Sequence, residues 1–436
     1  MSASESSDTQ IAGNSTPAPA SPKNFWQRLG PGLITGASDD DPSGIATYSQ
    51  AGAQFQFLLL WTMLLTLPLM VAIQEISARI GRVSGQGIAA NIRRQYSPWI
   101  LYPLIAMVIA ANTVNLGADI GAMGAALKLV IGGPALLYAV SFAIVCASTQ
   151  VLMSYRRFAN ALKWLSLVLL SYVATALMIH VPWRQALHAT LVPSIQWNRA
   201  FLTTLIAVMG TTISPYLFFW QSSLETEEMR AGPIEEPLKI DPTQTRAEFN
   251  RISWDTWIGM AASNLIAFFV MLTAGAVLYG RYSDIQTSQQ AAAALKPLAG
   301  RFAESLFAAG IIGTGLMAVP VLAGSAGYAA GEAMNWRTGL DRKPNRAKAF
   351  YAVIVVATLL GLAVNFTPLD PFKALFWSAV LNGIASVPVM VIVMIMASSR
   401  GVMGSAARIP MLLRVVGWIA TAAMAAACIG LFVTWQ

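Results

Sequence analysis

The stretch Ser38-Asp39-Asp40-Asp41-Pro42-Ser43-Gly44 lies in the middle of the first long apolar segment of the chain. A charged side chain at the centre of a bilayer costs about 2.5–3.5 kcal/mol on insertion scales, and here three carboxylates follow one another. Pro42 lacks a backbone donor, and Gly44 accepts almost any backbone conformation. A helix is expected to break at this point. Irregular backbone at membrane depth persists only where it lines a cavity or is enclosed by protein. The stretch therefore points to a buried polar site, suited to a cation.

Working outward, the 436 residues are 56% hydrophobic and 11% charged, and mean hydropathy is +0.58. Such a composition excludes an ordinary soluble domain and indicates an all-α, multi-pass membrane protein. Residues 1–27 read as a disordered cytoplasmic tail, rich in Ser, Ala and Pro and without the apolar core of a signal peptide. Cys146 and Cys428 both lie in apolar segments and read as packing residues.

Apolar segments fall near residues 30–53, 56–80, 98–126, 134–153, 158–180, 200–223, 255–279, 303–333, 349–366, 372–398 and 410–434, about eleven transmembrane helices. With the N-terminus inside, the 28 Lys and Arg divide as 21 inside and 7 outside. That bias sets the orientation in a cytoplasmic (inner) membrane and explains the net charge of +8 without nucleic acid. The acidic segment 224–250 reads as a solvated inner loop, with a cation-collecting vestibule as the alternative. Gln289–Leu295 reads as a short surface helix in an outer loop.

Five helices after the first break, the sixth helix reads Gly210-Thr211-Thr212-Ile213-Ser214-Pro215-Tyr216, again with a proline in mid-span. Interrupted helices at matching positions of two halves are the sequence sign of an inverted-repeat transporter. The expected architecture is a LeuT-like 5+5 inverted repeat with broken helices 1 and 6. The core spans 28–398, with repeats at about 28–180 and 200–398, and an additional helix follows in 399–436. Carbonyls freed at both breaks, together with a carboxylate, make a site for a hard cation.

Gly30-Pro31-Gly32-Leu33, then Asp41-Pro42-Ser43-Gly44-Ile45-Ala46-Thr47 and Gln50-Ala51-Gly52-Ala53, resembles the first helix of the NRAMP family of divalent-metal transporters, in register and without a gap. Ser77-Ala78-Arg79-Ile80-Gly81-Arg82-Val83-Ser84-Gly85 resembles the end of that family's second helix. The resemblance implies metal-site positions Asp41, Gly44, Thr211 and Ser214. Asp41 matches the family Asp and Thr211 its carbonyl donor. Gly44 stands where the family has Asn, Ser214 where it has Met, and Tyr216 and Gln221 where it usually has two histidines. Gly121 replaces a family Glu, and Asp119 is one residue, about 100° of helix rotation, from the neighbouring family Asp.

Thioethers favour late transition metals, whereas hydroxyl and carbonyl oxygens favour Mg²⁺, Ca²⁺ and Mn²⁺. These departures resemble the NRAMP-related branch that carries Mg²⁺ and Mn²⁺, and imply weak or absent proton coupling. A proton-coupled Mn²⁺/Fe²⁺ importer is the alternative. Asp39, Asp40, Asp119, Tyr216, Gln221, Asn382 and Ser386 are candidates for the ion path or for holding its ligands. Asn382 and Ser386, at i and i+4, either face the site or join helices. Glu75 and Glu332 are expected to pair with nearby arginines.

Other classes fit less well. His180 and His188 are the only histidines and do not form a metalloprotease pair. No phosphate loop of the Walker type is present, so ATP-driven pumping is also disfavoured, and the chain reads as a transporter and not an enzyme. A symporter for amino acids needs a helix N-terminus free for a substrate carboxylate, which Asp39, Asp40 and Asp41 would repel. The expected partners are divalent ions and the bilayer, with no nucleic acid, no evident protein partner and no cofactor beyond the transported cation.

Overall fold

The computed structural model describes residues 31–152, 167–231, 236–404 and 407–434. Residues 1–27, expected as a tail, and much of the expected fifth helix lie outside them. The described residues form helices and no strand. The first apolar segment is split into α1 (Pro31–Asp39) and α2 (Pro42–Phe55). It is followed by α3 (Leu60–Ser84), α4 (Ile88–Gln95), α5 (Pro98–Ile131), α6 (Ala135–Leu152), α7 (Leu170–Met178) and α8 (Trp183–Leu191). The sixth apolar segment is likewise split, into α9 (Arg199–Thr212) and α10 (Pro215–Ala231). Then come α11 (Thr245–Val277), α12 (Ala303–Ala333), α13 (Lys348–Val364), α14 (Pro371–Ser398) and α15 (Met411–Thr434).

Among the described residues, eight helical segments are long and apolar enough to cross a membrane, the α9–α10 pair counting as one. The broken first helix, the apolar segment Leu167–Met178 and α13 complete the expected set. Large apolar side chains of α6, α13 and α15, such as Ile144, Leu360 and Phe432, are exposed on the outer surface, as lipid-facing residues are.

Both breaks follow from local chemistry. Asp41 precedes Pro42 and takes an extended conformation (φ −76°, ψ 168°), the bias proline imposes on its predecessor. Pro42 occupies the first helical position of α2, where a missing N–H costs nothing. At the second break Pro215 opens α10 in the same way.

α1 and α2 pack against α11, α9 against α14, and α5 against α12. The contacts at the core are close enough to need glycine. A Cβ on Gly36 of α1 would meet the backbone of Gly259 in α11, and one on Gly210 of α9 would meet the backbone of Ala379 and Gly383 in α14. These crossings bring the two breaks together.

Two loop expectations are corrected. Segment 224–250 is not a plain solvated loop: α10 runs to Ala231, α11 starts at Thr245, and Glu225 is fully buried. Tertiary ion pairs described below keep those acids in helices. Around Gln289, a short helix (Ser288–Ala292) forms as expected, but Ala291, Ala292, Ala294 and Leu295 are buried rather than on the surface. Helices α4 and α8 were not expected; both are too short to give an apolar span.

Candidate metal centre

Asp41 is the N-cap of α2, and its carboxylate is held from three directions. Oδ1 accepts from the Gly44 N–H at 2.8 Å and from the Ser43 hydroxyl at 2.6 Å. Oδ2 accepts from Asn115 Nδ2 of α5 at 3.0 Å. The side chain is 1% exposed. Hydrogen bonds from α2's own N-terminus favour the charged form and satisfy donors that a helix start leaves free. At the same place α1 ends, and the C-terminal carbonyls of a helix attract cations.

Asn115 was not singled out from the sequence, although a polar side chain inside an apolar span was the available signal. Its carbonyl oxygen accepts from Ser378 Oγ of α14 at 2.8 Å. One turn further along α5, Asp119 is fully buried, and neither carboxylate oxygen has a hydrogen-bond partner among the described residues. It shares a helix face with Asn115, which bonds Asp41. The one-residue offset from the family pattern thus leaves Asp119 on the Asp41 side of α5.

The second break supplies the opposite wall. A Cβ on Gly44 would stand 3.2 Å from Thr211 Oγ1, 3.2 Å from Tyr48 Cε2 and 3.6 Å from Asp41 Oδ1. Asp41, Gly44, Tyr48 and Thr211 therefore converge. Ser214 turns its hydroxyl back to the carbonyls of Gly210 (2.7 Å) and Thr211 (3.0 Å), the usual back-bond of a helical serine. The Thr211 carbonyl keeps a second lone pair. Thr211 Oγ1, Tyr48 Oη and Tyr216 Oη are buried without hydrogen-bond partners. Few buried polar atoms stay unpaired in a native fold, and each implies water or an ion.

The remaining candidates divide. Asp39 and Asp40 turn to α11, where Ser263 Oγ lies 2.7 Å from Asp39 Oδ2 and 3.0 Å from Asp40 Oδ1. Gln221 is tied to Thr256 of α11 at 3.0 Å, with its carbonyl oxygen unpartnered. Asn382 is fully buried with neither amide atom paired, whereas Ser386 bonds back to the Gly383 carbonyl. No group of three or more His, Cys, Asp or Glu among the described residues is placed to hold a metal. A cation here must draw on backbone, hydroxyl and water oxygens besides a carboxylate.

One end of the bundle is closed by ion pairs. Arg251 of α11 reaches Glu225 of α10 at 2.5 Å and Glu248 at 3.0 Å, and Arg82 of α3 reaches Glu248 at 3.2 Å. Glu75 pairs with Arg79, as expected. Glu332 instead accepts from Ser223 Oγ at 2.7 Å and from the Ala90 N–H at 3.3 Å, so its strongest partners are a hydroxyl and the first turn of α4 rather than an arginine.

Residues 32–434 match the family described as natural resistance-associated macrophage protein-like (Nramp). The chain belongs to the Nramp family. The divalent metal cation transporter MntH of Klebsiella pneumoniae (strain 342) is 28% identical to this Nramp chain over 404 residues, 90% of this chain and 91% of that protein. MntH of Acidiphilium cryptum (strain JF-5) is 27% identical over 384 residues, covering 87% and 84%. A crystal structure of a mutant Eremococcus coleocola manganese transporter superposes with a TM-score of 0.70 at 20% identity, over 93% of this chain and 87% of that one. MhsT in complex with L-phenylalanine superposes with a TM-score of 0.62 at 12% identity, over 92% and 98%. At these identities the likeness establishes the fold: the Nramp chain has the LeuT-like all-α architecture with helices 1 and 6 broken.

Proposed function

We propose that this Nramp chain is a secondary transporter of divalent cations, Mg²⁺ and/or Mn²⁺, working by alternating access through an oxygen-lined site. The observation that carries the reading is the Asp41 carboxylate, buried at the meeting of the two broken helices and oriented by Gly44, Ser43 and Asn115. Asp41 and the Thr211 carbonyl are the protein ligands, and waters complete the shell. Gly44 and Ser214 act by what they lack. The first leaves room beside Asp41, and the second offers no thioether. A roomy oxygen site suits Mg²⁺, which keeps several of its waters. The divalent relatives named above agree with the substrate class. The Lys/Arg bias supports an inner-membrane protein with a cytoplasmic N-terminus, and the ion-paired end of the bundle is then the closed inner gate. An amino-acid substrate is disfavoured, because Asp41 already occupies the N-terminus of α2 where a substrate carboxylate would dock.

A second reading, proton-coupled Mn²⁺ import, is favoured by Asp119, a carboxylate buried one turn from the Asn115 that bonds Asp41 and able to exchange a proton there. The deciding experiment is uptake of Mn²⁺ and Mg²⁺ into proteoliposomes, with and without a pH gradient. Carriage of both ions, little changed by the gradient, is expected. No uptake of either ion by folded protein overturns the proposal, and uptake with matching acidification of the lumen transfers it to the second reading.

A further inference from the structure

α15 packs against α3, α9 and α14 and leaves its other face open. That face carries Met411, Arg414, Val415, Trp418, Ile419 and Ala422, which follow one another at i, i+3, i+4, i+7, i+8 and i+11 and line a single groove. Five of these side chains are apolar, with Trp418 42% and Ile419 53% exposed. The sixth is a charge, and its donors are mostly unused.

Arg414 lies in the first turn of α15. Its Nη2 donates to Ser398 Oγ at 3.0 Å, while Nε is buried without a hydrogen-bond partner. A guanidinium has five N–H donors in a planar fork that fits phosphate oxygens. No Asp or Glu follows Asp370 in the sequence. The ion pairs formed among the described residues leave out Arg414 and also Arg400 and Arg408, both exposed in the segment that leads into α15.

Charge selects the occupant of this face. A second copy in the same membrane would bring Arg414 toward Arg414 across a two-fold contact, like charges at equal depth. A lipid without net charge offers the guanidinium no counter-charge. An anionic phospholipid supplies a phosphate for the arginine and an acyl chain for the groove. Trp418, one turn deeper than Arg414, has the amphipathic ring suited to the headgroup boundary.

We propose that this face of α15 binds one anionic phospholipid of the inner leaflet, with its phosphate on Arg414 and an acyl chain along Val415, Trp418 and Ile419. The leaflet follows from the Lys/Arg bias. The site goes beyond the transport reading and does not depend on which ion is carried. Because α15 packs on α9, the first half of the broken sixth helix, the lipid braces a wall of the transport core.

The test is native mass spectrometry of the full-length chain, delipidated in detergent and titrated with phosphatidylglycerol or with phosphatidylcholine of the same acyl chains. One phosphatidylglycerol is expected to stay bound, in preference to phosphatidylcholine. Arg414→Gln should weaken phosphatidylglycerol about tenfold, the worth of one charge-assisted hydrogen bond, and Trp418→Ala should weaken both lipids. Soluble glycerol phosphate should not displace the lipid; displacement would give the site to free phosphate and overturn the proposal. Equal binding of the two lipids by the unaltered protein overturns it whether or not the variants fold. So does unchanged phosphatidylglycerol binding by folded Arg414→Gln or Trp418→Ala, and so does a dimer that Trp418→Ala dissolves, which gives the face to a second copy.

Discussion

Asn115 joins Asp41 to Ser378: its amide nitrogen donates to Asp41 Oδ2 at 3.0 Å, and its oxygen accepts from Ser378 Oγ at 2.8 Å. Asp41 lies at the first helix break, Asn115 in α5 and Ser378 in α14. The direction in which the carboxylate points is therefore set by helices far apart in the chain. A relative movement of α5 and α14 that broke this relay would change how firmly Asp41 holds an ion.

Asn115→Ala is expected to weaken Mn²⁺ binding about 10- to 100-fold, the usual effect of removing a group that orients a metal ligand. Ser378→Ala, one bond further out, should have a smaller effect. Binding titrations of the two variants provide the check; equal affinities for Asn115→Ala and the unaltered protein would remove the relay from the mechanism.

Asp41→Asn separates charge from capping. Asparagine caps a helix as well as aspartate does, whereas alanine costs about 1 kcal/mol there. Asp41→Asn should therefore keep its thermal midpoint and gel-filtration profile yet lose uptake by at least about tenfold, the factor that ~1.4 kcal/mol represents. Near-normal Mn²⁺ uptake by folded Asp41→Asn would place the site elsewhere.

Selectivity should follow the oxygen donors. Millimolar Mg²⁺ is expected to compete with Mn²⁺ uptake, and Cd²⁺ should gain little advantage from its softness. Gly44→Asn with Ser214→Met should shift preference toward Cd²⁺ and Mn²⁺ over Mg²⁺. The new Cβ at position 44 falls 3.2 Å from Thr211 Oγ1 and Tyr48 Cε2, so those groups must yield by a few tenths of an ångström. Competition assays read the ratio directly, and an unchanged ratio in the folded double variant counts against the assignment of these two positions.

Proton coupling should be weak. Among the described residues the membrane core around the site contains no histidine, and Tyr216 and Gln221 occupy the sixth-helix positions where the family pattern has them. Asp119→Asn is expected to leave uptake insensitive to an imposed pH gradient, as in the unaltered protein. Luminal acidification in proportion to metal uptake, abolished by Asp119→Asn, would be the contrary result.

The ion-paired end of the bundle should be fragile to half-removal. Arg251→Ala leaves Glu225 buried without its partner, a loss of about 3–5 kcal/mol for a buried pair. Replacing both, Glu225→Gln with Arg251→Gln, should recover much of it. Thermal unfolding of the three proteins tests this; a neutral Arg251→Ala would mean that the pairs at Glu225 and Glu248 do not hold the end closed.

Much of the fold was legible because long apolar spans and proline breaks are local signals. Ala303–Ala333 and Pro371–Ser398 lie almost where hydropathy put them. The candidate site was legible at Asp41 and Thr211 only as positions at the two helix breaks. It was not legible at Asn115, Ser263 or Ser378. A lone amide or hydroxyl in an apolar span reads equally as helix glue, and only the packing of α5, α11 and α14 turns these three toward the acids. The acidic segment 224–250 was misread for the same reason: Glu225 and Glu248 look solvated until α3, α10 and α11 bring Arg82 and Arg251 to them.

Sequence alone determined the membrane class and the points at which helices stop and restart. Asp41-Pro42, Asp241-Pro242 and Asp370-Pro371 each start a helix with the aspartate as N-cap accepting a backbone N–H, because capping and proline geometry act within three or four residues. Which of the three becomes a candidate site was decided by tertiary structure. Asp241 and Asp370 are not buried. Asp41 is enclosed and meets an amide 74 positions away. Desolvation and long-range partners come from distant segments, so three identical local signals give two ordinary helix caps and one buried carboxylate poised for a cation.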